Sequence, residues 1–530
     1  MSQKRKAAML AVGPADVPRG NQQPYDHQLK FFIGFAGNPH IKGALMVFEV
    51  GTGKTLVAIL CLVHWLRSDP DKRVVVLTPK SLVGNFRAAI QKFDAKLVGD
   101  ARITITSFEQ FITHKDISCE NTLVILDEVH MLRKDSGNKD DDFFFDAKTD
   151  VAGAKVTRVQ EIMRRCTHLN NSKVLLMTAT IFINSVNNLN NLVAMVNKTA
   201  PVDKRVFEGS VEDPKFLRRV LGCRVAFYRV PPEVRKEHYP RVQVSMAKWV
   251  MTPEYLELYY GIERNFIQKQ DEFSAKLTDI NDLRPFYNGV RRSSLMLGED
   301  KATKILNIIK LWRIDNKQRN KAMVVFTNFR TYGVTQIEKA FQHEGIRFAV
   351  IDGSTTSLMR DKAVVMYNNN RLDVLVLTNA SATGLDLKRT RKIVVTELPW
   401  SWSQVQQIIG RGDRYDSHAD LPPAERTLSV YIMTELKPIE ERLFDPAVAR
   451  LEQLKRHPEK EPVDYKTFMK EVMARDTPDE KQKLPSSDFF MYFYIMVANM
   501  RFERVVWKLE KIEDVYTCWR KNVSLDDLNP

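Results

Sequence analysis

Short runs of valine, isoleucine and leucine recur along the chain, and stretches with helical spacing separate them. Strands of a parallel sheet have this composition because helices cover both faces of the sheet. In the first half of the chain the runs predict strands at residues 44–48, 73–78, 103–107, 122–127 and 173–178. In the second half they predict strands at residues 322–327, 348–352, 374–378, 393–397 and 429–433. The pattern therefore predicts an α/β protein with two lobes, each built on a parallel sheet.

The segments outside the two predicted lobes are richer in charge, in helical spacing, or in proline and glycine. We therefore predict a flexible tail, a first lobe, a helical insertion, a second lobe and a helical C-terminal extension, at residues 1–23, 24–200, 201–300, 301–450 and 451–530. The insertion carries a series of cations with no acid between them, which fits either a solvated helix face or contact with a phosphate backbone. These cations are Lys215, Arg218, Arg219, Arg224 and Arg229.

Composition narrows the class of protein. The 530 residues carry 80 Lys and Arg against 65 Asp and Glu, and the resulting net charge of +15 favours polyanionic partners, nucleic acid first. The five cysteines are scattered without a CxxC pair, so we expect neither a zinc site nor a disulfide framework, and an intracellular, reducing compartment. No run of 18 apolar residues occurs, so we expect no membrane span.

The segment EVGTGKT, residues 49–55, lies between a predicted strand and an apolar helical run. Strand, glycine loop and helix form the geometry that holds a nucleotide polyphosphate. Gly51 and Gly53 let backbone N–H groups turn inward, Lys54 reaches the outer phosphates, and the Thr55 hydroxyl can hold Mg²⁺. The complete pattern has a glycine where this chain has Phe48, so an ordinary glycine turn is the alternative.

Two acids follow the strand predicted at 122–127. Asp127 at a strand end can hold Mg²⁺, and Glu128 can orient or deprotonate an attacking water, which are two roles that phosphoryl transfer requires. The next strand ends in Thr178 and Thr180, whose hydroxyls are predicted to bond these carboxylates. A surface turn is the alternative for an isolated Asp-Glu pair.

Two arginines in the second lobe are candidates for the same chemistry. Arg411 and Arg414 are three residues apart, so on a helix they would share one face. Arginine supplied to a nucleotide from outside its own loop can stabilise charge in the transition state. An ordinary surface helix is the alternative.

In order and combination, these segments resemble the motifs of superfamily 2 helicases and translocases, which pair two RecA-like lobes. They stand here as PYDHQ (24–28), EVGTGKT (49–55), VVVLTPKSL (74–82), ITSFEQF (105–111), LDEVH (126–130), MTAT (177–180), VVFTNF (324–329), LVLTNASATGLDL (375–387) and QIIGRGDR (407–414). The resemblance implies ATP and Mg²⁺ as cofactors and a nucleotide clamped between the lobes.

The same resemblance assigns roles to individual residues. The catalytic residues would be Lys54, Glu128, Arg411 and Arg414. Thr55 and Asp127 would bind the metal. The nucleotide would contact Gln28 at the adenine, with Tyr25 nearby, and also Gly51, Thr52, Gly53, Lys54, Thr55, Asp127, Gly384 and Asp386. Nucleic-acid phosphates would contact Thr78, Pro79, Lys80, Ser107, Thr378 and Ser381.

Within this superfamily the chain resembles the Snf-type chromatin-remodeller branch. Two longer segments, residues 178–196 and 410–433, resemble the nucleoside triphosphate phosphohydrolase I and helicase proteins of large cytoplasmic DNA viruses. This resemblance implies an ATP-driven motor that acts in viral transcription, with DNA favoured over RNA, a viral RNA polymerase as partner, and the virion and host cytoplasm as location. The alternatives are a strand-separating DNA or RNA helicase, the ATPase subunit of an early transcription-initiation factor, and a degenerate motor that serves as a scaffold.

Overall fold

The computed structural model describes residues 17–132, 148–149, 155–156, 158–167, 171–182, 185–268, 287–292, 303–316, 322–378, 384–461, 463–473 and 484–521. The predicted tail up to residue 16, the acidic and phenylalanine-containing segment 140–146 and Ser381 lie outside these ranges. The chain divides into two compact units. The first comprises Met1–Val230 with Phe502–Pro530, and the second comprises Pro231–Arg501.

The first unit is built on a parallel sheet with helices on both faces. Its strands are β1 (Gly43–Phe48), β2 (Arg73–Thr78), β3 (Ile103–Ser107), β4 (Thr122–Leu126), β5 (Lys148–Thr149), β6 (Lys155–Val156), β7 (Lys173–Thr178) and β8 (Val225–Tyr228). Its helices are α1 (Asp26–Ala36), α2 (Lys54–Arg67), α3 (Val83–Phe93), α4 (Phe108–Thr113), α5 (Arg158–Ile162), α6 (Asn187–Asn197), α7 (Lys204–Ser210) and α8 (Pro214–Leu221). The main sheet has the order β3-β2-β4-β7-β1-β8, while β5 and β6 form a separate antiparallel pair.

The second unit has the same architecture. Its strands are β9 (Arg241–Val250), β10 (Ala322–Thr327), β11 (Phe348–Ile351), β12 (Val374–Thr378), β13 (Thr390–Val395) and β14 (Thr427–Leu436), in the parallel order β11-β12-β10-β13-β14-β9. Its helices are α9 (Pro232–His238), α10 (Pro253–Gln268), α11 (Thr303–Asn316), α12 (Thr335–His343), α13 (Ser357–Asn368), α14 (Trp402–Ile409), α15 (Pro438–Lys455) and α16 (Tyr465–Met473). Helix α17 (Ser487–Leu509) begins in this unit, and its residues from Phe502 belong to the first, as does α18 (Val515–Lys521).

The central strands are buried on both faces, as the apolar runs predict. Along β1, Leu45 and Val47 pack in one apolar cluster, whereas Met46 and Phe48 pack in the cluster on the opposite face. This alternation is the two-residue period of a strand. Parallel pairing also brings the carboxyl ends of the strands to one edge of each sheet, and the residues with candidate chemistry follow those ends.

All ten predicted strands are present, and the prediction of two α/β lobes is confirmed. The compact units nevertheless divide the chain differently from the predicted domain ranges. Strand β8 pairs with β1 and strand β9 pairs with β14, so the two ends of the span 201–250 belong to different sheets. Likewise, residues from Phe502 onward group with the first unit.

Four of the five cysteines are paired, contrary to the expectation of no disulfide framework. Disulfides join Cys119 to Cys166 and Cys223 to Cys518, all within the first unit, while Cys61 is a buried free thiol. The expectation failed because sequence spacing carries no information on which distant cysteines the fold brings together. Within the described ranges, no helix combines the length and apolar character needed to span a bilayer.

Buried ion pairs tie the helices of the second unit to the end of β14. The Lys437 ammonium donates to both carboxylate oxygens of Glu263 at 2.9 and 3.0 Å, and to the Leu484 carbonyl at 2.8 Å. The side chains of Lys437 and Glu263 are 1% and 7% exposed. Such a pair costs much desolvation, so its stability depends on every partner being present.

Lys437→Met is therefore expected to lower the free energy of unfolding by about 3–5 kcal/mol, because it leaves the Glu263 carboxylate buried without its cation. Urea denaturation followed by circular dichroism measures the change. Lys455→Met, which removes a 3.0 Å ion pair to the exposed Glu452, is the control and should cost less than about 1 kcal/mol. Equal midpoints for the two variants would show that the buried pair does not stabilise the fold in this way.

Candidate functional site

The loop between β1 and α2 turns sharply at two glycines. Gly51 and Gly53 both have φ of +80°, in the left-handed region that glycine adopts without steric cost. Gly53 is the residue before Lys54, where α2 begins, and a Cβ built on it would lie 2.2 Å from Nε2 of Gln28. Position 53 therefore requires glycine both for its backbone conformation and for the close approach of the glutamine.

Gln28 holds this loop from the side of α1. Its Nε2 donates to the carbonyls of Thr52 at 3.0 Å and Gly53 at 3.3 Å, and its Oε1 accepts from the Tyr25 backbone N–H at 2.8 Å. The residue is 1% exposed. In this structure the Gln28 amide thus fixes the position of the loop, and its contact with adenine stays a prediction.

Phe48 stands where the loop pattern has glycine, and the structure gives a packing reason. Its ring is nearly fully buried and packs edge-on against Phe31, His27 and Tyr228, with centroids 5.9, 5.5 and 5.7 Å away. The His27 ring also stacks flat on Tyr228, with centroids 3.6 Å apart. This aromatic cluster fixes α1, and with it Gln28, against the end of β1.

The Lys54 side chain bends back over its own loop. Its Nζ donates to the carbonyl oxygens of Phe48 at 2.9 Å and Glu49 at 3.1 Å. The Thr52 hydroxyl also donates to the Glu49 carbonyl, at 2.7 Å. The ammonium group is therefore held at the glycine loop, beside the exposed backbone of Gly51 and Gly53.

A pair of carboxylates follows β4, as predicted. The Asp127 backbone N–H donates to the Leu77 carbonyl at 2.8 Å, and its carboxylate accepts from the Glu128 N–H at 3.0 Å. Burial, followed by the neighbouring negative charge of Glu128, raises the pKa of Asp127 to about 7, while the Lys54 ammonium acts in the opposite direction. Lys54, Asp127 and Glu128 are thus close enough to interact electrostatically.

His130 connects this carboxylate pair to the end of β7. Its Nδ1 lies 3.3 Å from Glu128 Oε2 and 2.9 Å from Thr178 Oγ1. Because the Thr178 hydroxyl donates to the Thr180 carbonyl at 2.7 Å, Nδ1 is the donor toward Thr178. Thr178 therefore bonds to His130 and Thr180, and the histidine lies between Thr178 and the Glu128 carboxylate.

In the second unit, Arg411 and Arg414 do not lie on a helix, contrary to the prediction. Helix α14 ends at Ile409, and the glycine-containing segment after it forms turns, so the three-residue spacing does not place the arginines on a common helical face. Arg411 is buried, and Arg414 Nε donates to the Gly410 carbonyl at 3.0 Å.

These turns pack on the loop before β13. The Leu387 N–H donates to the Arg411 carbonyl at 3.3 Å, and Arg414 Nη1 lies 3.6 Å from an oxygen of the exposed Asp386. Gly384 has φ of +72° in this loop. Gly384, Asp386, Arg411 and Arg414 are thus brought to neighbouring segments of the second unit.

The predicted nucleic-acid contacts differ in exposure. Lys80 is exposed, whereas the side chains of Thr78, Pro79, Ser107 and Thr378 are buried. The Ser107 hydroxyl accepts from the Gln110 N–H at 3.1 Å and so caps α4. Ser381 lies outside the described residues. Phosphate binding by these segments stays a prediction.

Sequence reasoning missed a hydroxyl-rich turn after β11. Asp352 accepts from the Ser354 hydroxyl at 2.7 Å and pairs with Arg330 at 2.9 Å, and Arg330 also donates to the Ser354 hydroxyl at 3.1 Å. Ser354 is exposed at the same edge of the sheet as Thr378. The signal was the run Asp352-Gly353-Ser354-Thr355-Thr356 directly after a predicted strand.

The donors of the first unit suit Mg²⁺. Asp127 and Thr55 offer oxygen atoms, and burial, followed by the neighbouring charge of Glu128, raises the pKa of Asp127, which a bound cation would oppose. Over the part of the chain that the structure describes, no cluster of three or more His, Cys, Asp or Glu could hold a metal alone.

Gly53→Ala should abolish ATP turnover, because the new Cβ meets the Gln28 amide and the left-handed backbone costs about 1–2 kcal/mol for a non-glycine residue. Steady-state ATPase assays and binding of a fluorescent ATP analogue measure the loss. The matched control is Gly84→Ala in α3, where a Cβ meets nothing within 4 Å. Wild-type turnover by the Gly53 variant would refute the role of this loop.

Comparison with known proteins agrees with this geometry. Residues 300–416, which include Arg411 and Arg414, match the family model described as helicase conserved C-terminal domain. The chain is 24% identical over 408 residues to the putative ATP-dependent RNA helicase L538 of Acanthamoeba polyphaga mimivirus, covering 74% of this chain and 84% of that one. It is 22% identical over 473 residues to nucleoside triphosphatase I of Choristoneura fumiferana entomopoxvirus, covering 75% and 71%.

Among solved structures, the helicase domain of Pyrococcus furiosus Hef superposes with a TM-score of 0.44 at 15% identity, covering 80% of this chain and 98% of that one. The family match and the viral relatives agree with the ordered helicase motifs in the sequence. The chain thus carries a helicase conserved C-terminal domain at residues 300–416, is similar to viral helicases and nucleoside triphosphatases, and is an ATP-hydrolysing enzyme.

Proposed function

We propose that this motor is a Snf-type DNA translocase that moves along duplex DNA during viral transcription and acts in release of the transcript or the polymerase. The similarity to viral nucleoside triphosphatase I and the net charge of +15 support the proposal. The observation that carries it is the gathering of Lys54, Asp127 and Glu128 behind a glycine loop, since directed movement requires ATP hydrolysis.

In the proposed reaction, residues of the first unit bind the triphosphate and prepare the water. Backbone N–H groups from Gly51 to Thr55 and the Lys54 ammonium bind the phosphates, and Gln28 and Tyr25 contact the adenine. Thr55 and Asp127 would hold Mg²⁺, which when bound neutralises charge on the phosphate oxygens.

Glu128 has the role of orienting the attacking water and accepting its proton. The imidazole of His130 lies beside this carboxylate, with Nδ1 3.3 Å from Glu128 Oε2. Arg411 and Arg414 supply positive charge that stabilises the transition state of phosphoryl transfer. In related chemistry such an arginine raises the rate by about 10³–10⁵. Gly384 and Asp386 belong to the same nucleotide machinery.

Nucleic-acid binding follows from the polar groups beyond the strand ends. Lys80, together with backbone groups near Thr78, Pro79 and Ser107, would contact phosphates in the first unit. Thr378 and Ser381, with the Ser354 turn added, would do so in the second. Such contacts position a strand without reading its sequence.

A strand-separating RNA helicase is the second candidate, because the mimivirus relative carries the name ATP-dependent RNA helicase. An ATPase subunit of a transcription-initiation factor is a third, and tight sequence-specific footprints on promoter DNA would distinguish it. In the favoured account the partner is a viral RNA polymerase, and the enzyme works in the virion and the host cytoplasm.

Glu128→Gln should bind ATP with nearly wild-type affinity but hydrolyse it at least 100-fold more slowly, because the amide cannot accept the proton of water. Single-turnover hydrolysis and binding of a fluorescent analogue separate the two effects. Lys54→Ala is the comparison, since it should weaken nucleotide binding as well. A wild-type rate in the Glu128 variant would remove this residue from the mechanism.

Translocation itself is tested by displacement of a third strand from a DNA triplex. The wild-type enzyme should release the third strand only with hydrolysable ATP and should leave the underlying duplex intact, whereas Glu128→Gln should release nothing. Release of a strand from an RNA or DNA duplex, with the triplex left in place, would instead support the helicase alternative.

A further inference from the structure

A short segment of the second unit holds the turn that carries Arg411 and Arg414. Arg235, on α9, donates through Nη1 to Asp413 Oδ2 at 2.8 Å. The guanidinium of Arg235 also lies over the Tyr239 ring, with 4.8 Å between the charged carbon and the ring centroid. This segment therefore contacts Asp413, the residue directly before Arg414.

The same segment contacts the turn at further points. The His238 carbonyl accepts from the Asp416 N–H at 2.8 Å, and His238 Nδ1 lies 3.0 Å from the Asp416 carboxylate. The His238 ring stacks on Tyr415 with centroids 4.4 Å apart and planes inclined by 17°. These contacts are a backbone hydrogen bond, a polar side-chain contact and a ring stack. Together they restrict the orientation of the turn more than a single flexible ion pair would.

Asp413 is a carboxylate within a segment whose proposed work is to present positive charge. It lies in the sequence Arg411-Gly412-Asp413-Arg414, and its side chain is 15% exposed. Because Asp413 lies between Gly412 and Arg414 in the chain, its ion pair with Arg235 connects the turn directly to α9.

The ion pair of Arg235 with Asp413 is expected to affect turnover more than the stability of the fold. Arg235 is 39% exposed, and ion pairs at such exposed positions contribute little to the stability of a fold. Displacement of a catalytic group by about 1 Å can cost about 100-fold in rate. A pair of small energetic weight can therefore have a large effect on turnover when it fixes the orientation of the reacting groups.

We propose that Arg235 is a positioning residue for ATP hydrolysis: through Asp413, and assisted by His238 on Asp416 and Tyr415, it holds the turn that presents Arg411 and Arg414. The inference rests on the proposed role of these two arginines. It assigns work to α9, the first helix of the second unit along the chain, in a region outside the quoted motifs.

Arg235→Ala and Asp413→Ala should each lower the kcat of DNA-stimulated ATP hydrolysis by roughly 10- to 100-fold. The KM for ATP should change less than twofold, because the phosphate loop of the first unit binds the ground state. The double variant should be no slower than either single variant, since both changes remove one interaction. The exchanged pair Arg235→Asp with Asp413→Arg should recover at least part of the rate.

The matched control is Arg347→Ala. Arg347 pairs with Asp373 at 2.6 Å in the same unit, but at the opposite, amino-terminal ends of β11 and β12. Its kcat should equal that of the wild type, and thermal melting should show that all variants are folded. Unchanged kcat in Arg235→Ala, or multiplicative losses in the double variant, would overturn the proposal.

Arg414→Ala separates this inference from the function on which it rests. A large loss of kcat in Arg414→Ala with wild-type turnover in Arg235→Ala refutes only the positioning role. Wild-type turnover in Arg414→Ala and in Arg411→Ala refutes the proposed role of the arginines, and the positioning role with it.

Discussion

Parallel pairing of the strands is the constraint on which the rest of this structure depends. Because all strands of each main sheet run in one direction, every loop that follows a strand emerges at the same edge. The glycine loop after β1 and the carboxylates after β4 are far apart in sequence, yet Lys54 and Asp127 interact there. The fold thus supplies proximity, and the loop residues supply chemistry.

The first unit arranges opposite charges that only partly compensate one another. Two adjacent carboxylates are partly balanced by Lys54, and the remaining repulsion and burial raise the pKa of Asp127 to about 7. His130 lies beside Glu128, while backbone carbonyls accept from Lys54 and Gln28 fixes the glycine loop. These contacts restrict the side chains of the proposed nucleotide site, and such restriction lowers the cost of reaching a reactive geometry.

The second unit uses a different means to hold its candidate residues. The turn that carries Arg411 and Arg414 is not helical. Hydrogen bonds hold it to two neighbouring segments, one at Leu387 and one on α9. The position of the turn therefore depends on backbone hydrogen bonds to Leu387 and His238 and on the ion pair of Arg235 with Asp413.

The sequence predicts most of the fold because buried parallel strands have a strong apolar signature. Strands β8 and β9 escape this signal. The first is four residues long and follows a cationic stretch, and the second carries exposed polar residues along its ten positions. A local pattern also cannot reveal long-range pairing, which is why the disulfide of Cys223 with Cys518 was missed.

The candidate site divides in the same way between what is local and what is not. The residues Lys54, Asp127 and Glu128 follow from motif order, whereas the bond between His130 and Thr178 depends on two strand ends meeting. The three-residue spacing of Arg411 and Arg414 would place them on one face of a helix. The structure has turns there instead, because the helix ends at Ile409, before the two glycines of this segment. Burial of Thr78 and Ser107 likewise required coordinates.

The central claim is that ATP hydrolysis in this enzyme is coupled to nucleic acid. The direct measurement is the rate of ATP hydrolysis without nucleic acid and with saturating duplex DNA, single-stranded DNA or RNA, side by side. We expect a slow basal rate and the largest stimulation by duplex DNA. Equal rates in all four reactions would contradict the coupling of ATP hydrolysis to nucleic acid, because hydrolysis would then not depend on any nucleic acid.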